Sequence, residues 1–188
     1  MFGNPSLQHS NTPSLQDVFP SMRHPSLTPL SHDHHHGLAL ALRCRKQSLG
    51  QLKPMGAEGL RLRAAEFREF FDKQLIPHFR AEEEILFPLM RAAAPESAAL
   101  LDDLLRDHES FRQGVKALAA GAGVSKLIFD LGDLLERHIR REERELFPLF
   151  EQHVESAEAK VVGEKIRTIL ASGADLEKNE SGRMKHEI

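Results

Sequence analysis

Residues 78–89 read HFRAEEEILFPL and residues 138–149 read HIRREERELFPL, so one stretch is written twice at an offset of 60 with eight of twelve positions identical. Each copy sets a His four residues before a Glu: His78 with Glu82, and His138 with Glu142. On a helix, residues four apart share a face one turn from each other, so an imidazole and a carboxylate can reach the same ion. On a helix surface such a pair is ordinarily solvated. Here the flanks are apolar in both copies: Phe71, Leu75, His78, Glu82 and Leu86 fall on one stripe, and Leu131, Leu135, His138, Glu142 and Leu146 on another. Charged groups in a core are costly unless paired or bound to metal, and metal compensates both pairs at once.

Outward from the repeat, the 3.6-residue pattern predicts helices over residues 57–91 and 124–153, each carrying one copy. Pro77, Pro88 and Pro148 interrupt these runs and predict either bends or helix ends. A third helix over 97–119 sets His108 in the stripe Leu101, Leu104, Leu105, Phe111, Val115 and Leu118. A lone His on an apolar face is more often a core residue than a ligand, but three other helices also offer one. The first helix is expected from Ser31, as N-cap, to residue 46 or 47, and opens with the tract HDHHHG. Its four histidines cannot all face inward. His35 shares a face with Leu38 and Leu42, and His34 aligns with the same leucines at the fourth and eighth positions; of the two, His35 is preferred. A short amphipathic segment over 156–170 completes the pattern.

The chain carries almost no strand signal. Long amphipathic segments joined by short breaks predict an all-α fold, an antiparallel up-and-down four-helix bundle with a short additional C-terminal helix. The division expected is a Pro- and Ser-rich flexible leader over 1–29, the bundle over 30–172 and a polar tail over 173–188. At 188 residues, 40% of them hydrophobic, the chain has enough material for one core. A net charge of only -3 offers no basic field for nucleic acid, and no apolar run approaches membrane-spanning length, so neither partner is expected. The single cysteine, Cys44, cannot form an internal disulfide, and no secretory signal pattern is present; together these suggest a cytoplasmic protein. No GxSxG motif points to a hydrolase.

Four segments, HPSLTPLSHDHHHGL, HFRAEEEILFP, RDHESF and HIRREERELFP, stand in an order and spacing that resembles the hemerythrin-like, or HHE cation-binding, domain over about residues 24–153. The resemblance implies a non-haem di-iron centre, two iron ions with an oxo or hydroxo bridge and two bridging carboxylates. Carried over by position, the ligands it implies are His35, His78, Glu82, His108, His138 and Glu142. The wider last spacing of oxygen-carrying members would select Glu143 instead of Glu142. Those members also have a His one turn before the helix-three ligand, where this chain has Leu104; His34 or Glu109 would have to compensate. The expectation is a protein that interacts with dioxygen, nitric oxide or iron rather than one that carries oxygen in bulk. The alternative is a structural or interaction bundle whose buried polar groups pair with each other or hold zinc.

Overall fold

The computed structural model describes residues 23–183 except residue 122; residues 1–22 of the expected leader and 184–188 of the expected tail lie outside the described residues. The described chain is all-α, with no strand among its residues. Helix α1 is Thr28–Ser48. Helix α2 covers residues 56–93 as one rod: Gly56–Phe70, a π turn at Phe71–Leu75, Ile76–Ala81, a second π turn at Glu82–Leu86, and Phe87–Ala93. A 3-10 turn, Pro95–Ser97, leads into α3, Ala98–Ala120. Helix α4 begins as Val124–Arg141, passes through a π turn at Glu142–Leu146 and ends as Phe147–His153. Helix α5 is Ser156–Arg183.

The prolines end no helix. Each of Pro77, Pro88 and Pro148 sits in the first turn after a π turn. Proline removes a backbone donor and its ring crowds the carbonyl four residues back. The widened turn shifts the hydrogen-bond register ahead of the proline, so the rod continues. The second and third π turns begin at Glu82 and Glu142, the two repeated glutamates.

The core has two apolar clusters with a polar layer between them. One holds Leu30, Leu86, Leu104 and Leu146, and the other Ala41, Leu75, Phe111 and Leu135. His34 follows Leu30 along α1; His78 and Glu82 lie between Leu75 and Leu86 on α2; His108 lies between Leu104 and Phe111 on α3; His138 and Glu142 lie between Leu135 and Leu146 on α4. Successive helices therefore cross the layer in alternating directions. Helix α5 buries Ala159, Val162 and Ile166 in the first cluster. No helix among the described residues is long and apolar enough to cross a membrane.

Three expectations change. Helix α1 starts at Thr28 rather than Ser31, because Pro29 occupies the first turn, where a missing N–H costs nothing. The Ser31 hydroxyl is used elsewhere, donating to Glu143 Oε1 at 2.6 Å. The leader boundary also falls earlier than residue 29, since Leu27 is fully buried and the Leu27 amide donates to the His24 carbonyl at 2.8 Å. Helix α5 runs past the break expected near Gly173, as a single interior glycine costs a helix only about 1 kcal/mol.

Helices α1 and α4 approach closely because small residues face each other. A Cβ added to Gly132 would stand 2.8 Å from Cys44 Cβ and 2.9 Å from the Ala41 carbonyl oxygen. Burial also pushes the Cys44 thiol up to about 12, leaving it an inert packing group. Gly132→Val should therefore lower stability by about 1–3 kcal/mol through overpacking in urea denaturation. Wild-type stability in that variant would contradict the close α1–α4 contact.

Candidate metal centre

The inner stripes of α1 to α4 deliver four imidazoles and two carboxylates to one place. His34, His78, Glu82, His108, His138 and Glu142 are all buried, with both glutamates and His108 fully excluded from solvent. His78 Nε2 lies 3.0 Å from Glu82 Oε1, and His108 Nε2 lies 3.3 Å from Glu82 Oε2. Glu142 repeats the arrangement, with Oε2 3.2 Å from His34 Nε2 and Oε1 3.5 Å from His138 Nε2. Each carboxylate thus divides its oxygens between two histidines. The donor atoms fall into two groups, His34, His78, Glu82, Glu142 and Glu82, His108, His138, Glu142, each with its atoms within 4.8 Å of one another. Both glutamates belong to both groups.

Around this cluster runs a ring of carboxylates that the sequence reading did not assign. Asp33 Oδ2 on α1 is 3.1 Å from His78 Nδ1 on α2, and Glu83 Oε1 on α2 is 2.7 Å from His108 Nδ1 on α3. Asp107 Oδ2 on α3 is 3.4 Å from His138 Nδ1 on α4, and Glu143 Oε1 on α4 is 2.7 Å from His34 Nδ1 on α1. Each helix orients the imidazole of the next, and the fourth returns to the first. Every Nδ1 is engaged outward, which leaves every Nε2 pointing inward. This is how proteins commonly fix the tautomer and direction of a metal-binding histidine. Aromatic rings complete the walls: Phe147 stacks on His34 at 5.5 Å, and Phe87, its counterpart in the repeat, on His108 at 5.7 Å. Phe79 also stacks on His108, at 3.7 Å.

The first-helix register is corrected here. His34 joins the cluster, whereas His35, the preferred candidate, is exposed on the outer face of α1. Helix α1 buries Leu30, His34, Gly37, Leu40, Ala41, Cys44 and Gln47, three of them small, whereas Leu42, expected on the inner stripe, is 45% exposed. Glu143 is outside the donor groups and supports His34; Glu109 is exposed and pairs with Gln113 and Arg112. The signal for the ring was present: an acid follows the repeated Glu in both copies, and an Asp precedes the buried His in both Asp33-His34 and Asp107-His108.

Burial and charge oppose each other at these groups. For His78, burial favours the neutral ring, but Glu82 and Asp33 outweigh it and raise its pKa well above the ordinary value. His34 and His108 are raised in the same way, burial being overcome by Glu142 and Glu143 and by Glu82 and Glu83 respectively. Burial would raise Glu82, yet His78 and His108 hold it well below the usual carboxylate range. Even so, both oxygens of Glu82 and of Glu142, together with His108 Nε2 and His138 Nε2, have no hydrogen-bond partner. Buried polar atoms are rarely left unpaired, and six around one point fit a cation.

The hemerythrin HHE cation binding domain profile matches residues 26–150, about two thirds of the chain. The chain belongs to this hemerythrin family. No curated protein and no solved structure matches it. The matched span of this hemerythrin-type domain begins just before α1 and ends within α4, so it takes in all six cluster residues, while α5 lies beyond it.

Glu143 anchors three partners at once, accepting from His34 Nδ1, from the Ser31 hydroxyl at 2.6 Å and from Arg23 Nη2 at 2.6 Å. Against the effect of burial, these hold its carboxyl down to about 2. Because the folded value lies below the usual 4.5, its contribution is present above that pH and is lost as pH falls toward 2. Glu143→Ala should destabilise the metal-free protein by about 1–3 kcal/mol at neutral pH, since it leaves the buried His34 Nδ1 without an acceptor. Exposed Glu145→Ala should change stability by less than about 0.5 kcal/mol. Chemical denaturation of both variants at several pH values checks this, and equal losses would contradict the ring.

Proposed function

We propose that His34, His78, Glu82, His108, His138 and Glu142 hold two non-haem iron ions within an up-and-down four-helix bundle, and that the protein interacts through them with dioxygen, nitric oxide or iron itself. The supporting observation is the pair of donor groups sharing Glu82 and Glu142, six of whose inward atoms lack a hydrogen-bond partner, while His34 Nε2 and His78 Nε2 lie 3.1 Å from each other. Each group offers two imidazole nitrogens and carboxylate oxygens, a mixture that suits iron and leaves coordination positions open. The six orphaned atoms also weigh against a self-contained polar network, the structural alternative. Bound iron would supply one-electron redox chemistry and an open position for a small ligand.

The protein's own residues set the limits of that chemistry. The carboxylate ring fixes the imidazoles, Phe79, Phe87 and Phe147 wall them off, and Leu104, fully buried one turn before His108, offers no donor. The centre therefore has one imidazole fewer than the oxygen-carrying pattern. Sensing, detoxification or iron handling fits this donor set better than bulk oxygen carriage.

After anaerobic reduction and exposure to air, the iron-loaded protein should oxidise, and degassing should not restore the reduced spectrum. Leu104→His should increase the reversible fraction by adding the missing donor. Full spectral reversal over many cycles in the unaltered protein would contradict the reading and favour carriage.

A further inference from the structure

Three histidines of α1 take no part in the centre: His32, His35 and His36 are exposed. Two of them are close neighbours. The rings of His32 and His36, one helical turn apart, have centroids 4.8 Å apart and planes at 76°. Two helical histidines at this spacing can hold one transition-metal ion between them.

Their position relative to the centre gives the pair a role. His36 lines a surface recess of about 330 Å³ between α1 and α2, together with Glu69, Phe70 and Gln74. Behind it, a cavity of about 10 Å³ is bounded by Asp33, His34 and His78, and again by Phe70 and Gln74. Phe70 and Gln74 are thus the shared wall between the outer recess and the inner donors. Gln74 is half-buried and belongs to the π turn Phe71–Leu75, with Phe70 just before it. The cations of the recess are matched by carboxylates, Arg43 with Glu66 at 2.6 Å and Lys73 with Glu69 at 3.0 Å, so the recess is not a positive barrier. A second recess near the centre, bounded by Phe79, Glu83 and Arg112, includes no histidine.

We propose that His32 and His36 form a capture site for a divalent transition-metal ion, and that the recess beside them is the route by which the ion reaches the buried donors past Phe70 and Gln74. The route rests on the metal-centre reading; the capture site does not. Donors that are almost wholly excluded from solvent need a path for an ion that arrives hydrated. A pair of exposed imidazoles, one of them lining the recess, would exchange part of its water shell before it meets the wall. Affinity at the pair should follow the usual order for nitrogen donors, copper above nickel, and nickel above cobalt.

The test uses the metal-free full-length protein and Co²⁺, with uptake followed by the ligand-field absorbance of the ion. His32→Ala/His36→Ala should load the centre measurably more slowly, because the ion then meets the wall with its water shell intact. Its final cobalt content at the centre should be unchanged, and one weakly held extra equivalent should be lost. His153→Ala, which removes a histidine paired with Glu96 at 3.1 Å, should load as the unaltered protein does. Gln74→Trp should slow loading without removing the extra equivalent. Unchanged rate and stoichiometry in the double variant would overturn the proposal. Failure of the centre to take up ions in any of these proteins would instead overturn the metal-centre reading, and the route with it, while the extra equivalent would still decide the capture site.

Discussion

The structure turns on two carboxylates placed where water cannot reach them. Glu82 and Glu142 are fully buried, and an isolated ionised carboxylate there is prohibitive unless something positive stands against it. Four imidazoles do so directly, each with Nε2 toward a glutamate oxygen. Four further carboxylates hold those imidazoles from behind. Because each of these outer bonds crosses from one helix to the next, the polar layer does more than occupy the core. It sets the rotation of α1 to α4 about their own axes, which apolar packing alone fixes loosely.

The same arrangement explains the internal repeat. Each helix pair, α1 with α2 and α3 with α4, supplies two imidazoles, one shared carboxylate and two supporting acids, Asp33 and Glu83 or Asp107 and Glu143; two such pairs close the ring. The π turns fit this geometry. By starting at Glu82 and Glu142 they carry the chain from the inner glutamate to the adjacent one, which turns to a histidine on the neighbouring helix. Phe87 and Phe147, five residues beyond each repeated glutamate, then close equivalent walls.

Much of this was legible in the sequence, because the repeated stripes carry large apolar residues at helical spacing. Phe71, Leu75 and Leu86, like Leu131, Leu135 and Leu146, frame their polar residues on buried faces. The first helix is harder to read because Gly37, Ala41 and Cys44, three of its buried residues, allow close approach to α4 and carry little bulk. Leu38 and Leu42 align with His34 and with His35 alike, so hydrophobic spacing alone does not separate the two. The carboxylate ring was hidden differently. Its members are half-buried, sit next to the inner residues in sequence, and pair across helices, so no single-helix periodicity reveals them. The continuation of α2 and α4 through their prolines depends on backbone register, which composition does not report.

The central claim is that two metal ions share Glu82 and Glu142. Elemental analysis of protein expressed without a histidine tag in iron-replete medium, and purified without a nickel column, tests it most directly. The account predicts two irons per chain, with loss of the metal on replacing His34 but not His35 by Ala. One zinc and no iron, or metal that is lost with His35 and retained without His34, would contradict it.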